Sequence, residues 1–102
     1  MIINASIQVV PLIKIEEAFP IIDSAIELIQ QSGLKYLVGA FETTIQGEYE
    51  PVQALIKKLQ DYCYEQEKTQ FLIYTKLHLC GGKNILIENK VQKFRQDSDF
   101  VL

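Results

Sequence analysis

Between residues 4 and 12, with Ile3 just before, side chains alternate along the chain. Ile3, Ala5, Ile7 and Val9 fall on one side, and Asn4, Ser6, Gln8 and Val10 on the other. A period of two predicts a strand with one face in a core, and Pro11, lacking an N–H for a ladder, ends it. Over residues 18–31 the apolar interval becomes helical, at Ile22, Ala25, Ile26 and Ile29. Pro20 suits the first turn of that helix, and Ser32-Gly33 supplies a left-handed stop. Residues 36–41 and 42–46 predict a second and a third strand, with Gly39 near the corner between them and Gly47 closing the third. A second helix follows over 50–65, with Pro51 at its start and Val52, Leu55, Ile56 and Leu59 inward. Residues 69–79 form a fourth alternating segment, in which Phe71, Ile73, Thr75 and Leu77 oppose Leu72, Tyr74, Lys76 and His78. Residues 80–83 predict a loop and 85–96 a last helix. The tail 97–102 is expected to fray or to dock its apolar end.

The order β-α-β-β-α-β predicts an α+β fold of the ferredoxin-like kind: a four-stranded antiparallel sheet with both helices on one face, plus a C-terminal helix. A chain of 102 residues is expected to make one domain, 1–102. In this plan the sheet has a second face without a helix, where Ser6, Gln8, Tyr74, Lys76 and His78 point. Polar groups mixed with Tyr and Val suit a small-ligand site or a subunit interface, and composition alone favours an interface or a solvated face.

Charge narrows the partners. Ten Lys and Arg against thirteen Asp and Glu leave a net charge of −3 and no basic stretch. The electrostatic footprint of a nucleic-acid binder is absent, so no nucleic-acid partner is expected. Apolar runs end after about five residues, well short of the roughly 20 of a membrane-spanning helix, and the N-terminal residues lack the pattern of a secretory signal. A cytoplasmic protein with no membrane partner is therefore expected. Its two cysteines, Cys63 and Cys80, read as free thiols. One histidine and no Cys/His cluster predict no metal site.

Candidate chemistry is sparse. Cys80 shares a strand face with His78, but a thiol beside an unrelated histidine is the favoured reading, and Cys63 reads as a small core residue. Glu16 and Glu17 ahead of the first helix, like Glu48 and Glu50 at the second, complement helix dipoles. Glu42 stands in an apolar, hydroxyl-bearing stretch, where it would pair with Lys76 or receive a cation; the ion pair is favoured. Gly81-Gly82-Lys83 lacks the full phosphate-loop pattern and reads as a loop.

Residues 33–49, GLKYLVGAFETTIQGEY, resemble the signature of the small thiamine-binding protein family, the YkoF-like domains. That signature enters the second strand through an SGLKYEVGP-like run. It continues with Thr-x-x-x-Gly, which Thr43 and Gly47 fill here. Residues 8–12 are similar to the family's opening strand, 21–27 to its first helix and 74–77 to its last strand. Family members often carry an acid where Gln46 stands, and an Asp and an Arg after the last strand, where this chain has His78-Leu79-Cys80-Gly81-Gly82.

The resemblance implies non-enzymatic binding of thiamine or its hydroxymethylpyrimidine part, as a carrier, buffer or sensor, with no other cofactor. It also implies assembly through sheets, here as a homodimer or homotetramer. Thiamine joins an aminopyrimidine to a permanently cationic thiazolium. On this reading Gln8, Thr43, Thr44 and Ser6 supply hydrogen bonds, Glu42 faces the cation, and Tyr74 or Tyr36 stacks on a ring. The alternative is an assembly domain with no small-molecule ligand.

Overall fold

The computed structural model describes residues 1–95. Strand β1 runs Ile2–Pro11, helix α1 Ile15–Gln31, strand β2 Lys35–Val38, strand β3 Thr43–Glu48, helix α2 Tyr49–Tyr64 and strand β4 Phe71–His78. A short helix α3, Ile87–Val91, runs into a 3₁₀ turn, Gln92–Phe94. The sheet order is β2-β3-β1-β4, every pair antiparallel, as the split βαβ plan requires.

Alternation in β1 is as expected: Ile3, Ala5 and Ile7 are buried under the helices together with Ile45 of β3. From α2 come Val52, Leu55, Ile56 and Leu59, and from α1 Ala25 and Ile29, with Cys63 buried at the end of α2. Burial pushes the Cys63 thiol above its usual pKa, because the thiolate would lose its hydration. Ile22 and Ile26 of α1 are only half-buried. In β4, Thr75 and Leu77 face the helix side but stay exposed, because β4 is an edge strand and the helices pack over the central β1 and β3.

Several expected boundaries move. Helix α1 starts three residues earlier, since the Lys14 carbonyl accepts from Glu17 N and Ala18 N, both at 3.0 Å. Glu16 and Glu17 therefore lie in its first turn, still suited to the dipole. Pro20 sits inside the helix and not in its first turn. The stop is as expected, with Gly33 left-handed at φ +77°. Strand β3 continues through Gly47 to Glu48, and β2 ends at Val38, so Phe41 belongs to the hairpin connection. The expected last helix is confined to 87–94, and the expected tail lies outside the described residues.

The larger departure concerns the face expected to be open. Ile85 N donates to Ile2 O at 2.9 Å, and Ile2 N to Asn84 Oδ1 at 2.9 Å, tying the C-terminal segment to the start of β1. Asn4 Nδ2 donates to Ile85 O at 2.9 Å, and Gln46 Oε1 accepts from Ile87 N at 2.6 Å. An ion pair joins Lys35 to Glu88. Asn4, Gln46 and Lys35 stand in one cross-strand row on the side away from α1 and α2. The C-terminal segment therefore roofs one end of that face, and among the described residues nothing covers the other end.

Candidate functional site

Among the cavities against the sheet, two lie on opposite faces with Glu42 bordering both. The first, about 470 Å³, lies between α1 and the sheet. Its floor is the second half of β1, one wall is α1 from Ile15 to Ile29, and the other is the β2–β3 hairpin. The hairpin is held by Gly39 N donating to Glu42 O at 2.9 Å. A Cβ on residue 39 would come within 2.8 Å of that carbonyl oxygen, so the tight turn requires glycine. Closing the hairpin there places Phe41 and Glu42 at the cavity mouth and turns Thr43 inward.

The chemistry of this cavity is distinctive. Most of its lining is aliphatic, from Ile7, Val9, Ala18 and Ile22 among others. Among the described residues, Glu42 is the one charged residue that lines it. Thr43, 6% exposed, places a hydroxyl-bearing side chain on the same side, opposite Ile7 and Val38 in the ladder. Phe19 and Phe41 line the mouth at 55% and 84% exposure, apolar rings left in water at the rim of an apolar hollow. Such a hollow, with few polar groups and one carboxylate, suits a flat organic cation.

The six residues expected to form one site do not share one. Thr43 lines the α1-side cavity and so does Gln8, although its side chain alternates to the other face. Ser6 and Thr44 stand opposite each other across the ladder and line the second cavity, of about 350 Å³, on the roofed face. Tyr74 pairs with Gln8 on that face, 52% exposed, and borders neither cavity. Glu42 alone touches both, with its carboxylate 3.4 Å from Lys76 Nζ, which is the ion pair expected from the sequence. Consecutive strand residues face opposite ways, so Thr43 and Thr44 cannot serve one ligand on one face.

Phe19 and Phe41 were not among the expected site residues. A reading of Phe41 as strand hid its place at the mouth; the local signal was Gly39, whose turn ends the strand before residue 41. Cys80 and His78 make no hydrogen bond with each other, and Cys80 Sγ lies 3.7 Å from Gly81 O. No group of His, Cys, Asp and Glu among the described residues is arranged to hold a metal ion. No helix among them is long and apolar enough to cross a membrane.

Comparison with known proteins agrees with this architecture. The model of a family described as thiamine-binding protein matches residues 5–95. A UPF0045 protein of Clostridium perfringens is 29% identical over 92 residues, covering 90% of this chain and 96% of its own. A solved structure from Thermotoga maritima, provisionally named for thiamine biosynthesis or salvage, is 36% identical with a TM-score of 0.84, over 93% of this chain and all of its own (100%). A domain of unknown function from Bacillus cereus is 34% identical with a TM-score of 0.82, over 93% of this chain and 91% of its own.

Proposed function

The chain belongs to the thiamine-binding protein family, and from that premise we propose that it binds thiamine, or the hydroxymethylpyrimidine part of thiamine, in the cavity between α1 and the sheet. The observation that carries this reading is the charge of the two cavities. Among the described residues, the α1-side lining holds one carboxylate and no cation, whereas the roofed cavity, which that carboxylate also borders, is lined by Lys76 and Lys90 as well. A permanently cationic thiazolium is favoured in the first and repelled in the second.

In this reading Glu42 faces the thiazolium, Thr43 hydrogen-bonds the aminopyrimidine, and Phe19 and Phe41 cover the rings. The Glu42–Lys76 pair does not prevent this. It is long and exposed on the lysine side, the kind of pair worth about 0–1 kcal/mol, so the carboxylate exchanges partners at little cost. The protein is read as a binder and not an enzyme, a cytoplasmic carrier, buffer or sensor. The family's description as thiamine-binding supports that reading.

Titration calorimetry with thiamine, hydroxymethylpyrimidine and thiamine phosphate tests the reading. Saturable binding is expected for at least one. Thr43→Val and Glu42→Gln should each weaken it by about 3- to 10-fold, the worth of one hydrogen bond or partly exposed charge contact. Ser6→Ala and Tyr74→Ala should leave it unchanged. No heat with any of the three compounds removes the proposal, and a loss on Ser6→Ala but not Thr43→Val moves the site to the other face.

A second reading, self-association, is favoured by one observation. The uncovered end of the sheet presents Leu72 and Tyr74 from β4 at 47% and 52% exposure, beside a strand edge that has no neighbour among the described residues. Apolar side chains along an unpaired edge are what a homodimer or homotetramer covers.

A further inference from the structure

The roofed cavity, which the thiamine reading leaves unused, carries its own chemistry. Its floor is Asn4, 4% exposed, and Ser6 beside it. Asn4 Nδ2 donates to Ile85 O and to Gln46 Oε1, at 2.9 and 3.3 Å. Both partners are acceptors there, which fixes the amide orientation and aims Oδ1 away from them. That oxygen is buried with no partner, and Ser6 Oγ is likewise buried and unpartnered. Buried polar atoms are almost always satisfied, so two such atoms on residues that line one cavity ask for a group that donates a hydrogen bond.

The walls ask for a different group. Among the described residues, Lys76 comes from β4 and Lys90 from the C-terminal segment, with Glu42 the carboxylate that borders the same cavity. A net positive lining is notable in a chain of net charge −3. The cavity thus combines a donor-seeking floor with cationic walls.

We propose that this cavity is a second small-molecule site, which takes a small phosphate carrying a hydroxyl. The hydroxyl donates to Asn4 Oδ1 with Ser6 Oγ beside it, and the phosphate oxygens lie between Lys76 and Lys90. Hydrogen phosphate, which carries its own hydroxyl, and a hydroxylated phosphate ester share this chemistry. Sulfate has the anion without the donor. The thiamine reading is not a premise here, because the ligand, the cavity and the charge are all different.

The test is calorimetry of the full chain with inorganic phosphate, glycerol phosphate and sulfate at matched ionic strength, with phosphorus NMR line broadening as a second readout. Saturable binding of one or both phosphates is expected, at least about tenfold tighter than sulfate, as a lost donor at a buried acceptor predicts. Tighter binding of glycerol phosphate identifies an ester as the better ligand, and tighter inorganic phosphate the free ion. Lys90→Ala, at an exposed position of α3, should weaken phosphate by about fivefold or more while leaving the melting temperature without ligand unchanged. Ser6→Ala should weaken it as well. Equal response to sulfate, absence of saturation, or indifference to both substitutions overturns the proposal.

Discussion

Thr43 and Thr44 differ in nothing but parity, and parity decides what each can do. Thr43 turns under the helices into an apolar hollow; Thr44 turns to the roofed face beside Ser6. The same rule governs the core. Leu59 is fully buried, at 0% exposure, where the inward row of α2 meets the sheet. Truncating it removes transfer energy and leaves a cavity that so small a domain cannot easily collapse. Leu59→Ala should lower unfolding free energy by about 2–5 kcal/mol, read as a drop in urea midpoint with unchanged slope. A loss well under 1 kcal/mol would show that the core repacks around residue 59.

At the scale of elements, the C-terminal segment is the least autonomous piece. Helix α3 has five residues, too few to be stable alone, and none of them is buried. Its place is set by polar ties instead: Asn4 and Gln46 on two central strands grip the backbone at Ile85 and Ile87. Removing the Gln46 acceptor leaves Ile87 N and Asn4 Nδ2 each short of a partner. Gln46→Ala should therefore speed hydrogen exchange at the Ile87 amide by about tenfold or more, as one lost buried hydrogen bond predicts. Gln46→Glu keeps an acceptor oxygen at that place and should hold the segment. Unaltered exchange in Gln46→Ala would mean that the Lys35–Glu88 pair and the Asn84–Ile2 bond suffice.

At the scale of the whole molecule, the sheet divides its surroundings by charge and by cover. Among the described residues, one face carries the helices and a hollow bordered by a carboxylate; the other is roofed at one end and uncovered at the other. The uncovered end and the edge of β4 coincide, and strand edges with exposed apolar side chains invite pairing. Light scattering on a sizing column should give a dimer or larger species for the native chain. Leu72→Lys, which puts a charge on that strip without touching the core, should shift it to monomer. A native chain that runs as a monomer at high protein concentration would rule out this surface as the interface.

The fold was legible in the sequence because periodicity is a local property. The alternation of Ile3, Ala5, Ile7 and Val9, the helical spacing of Val52, Leu55, Ile56 and Leu59, and the stop at Gly33 each need only neighbours along the chain. Element order then admits few topologies, and the Gly33–Tyr49 resemblance pointed to the family. The ion pair of Glu42 with Lys76 was also foreseen, as a carboxylate of one strand stretch meeting a lysine of another. The start of α1 was not, because Lys14 caps it through its carbonyl and leaves no side-chain signal. Nor was the site. Which of Gln8, Ser6, Thr43, Thr44 and Tyr74 share a cavity depends on strand register and on the hairpin closing at Gly39. The roof over Asn4 depends on hydrogen bonds between residues some eighty positions apart. Local chemistry along the chain determined the elements and their faces; only tertiary packing decided which faces meet a hollow, which are roofed, and where charge collects.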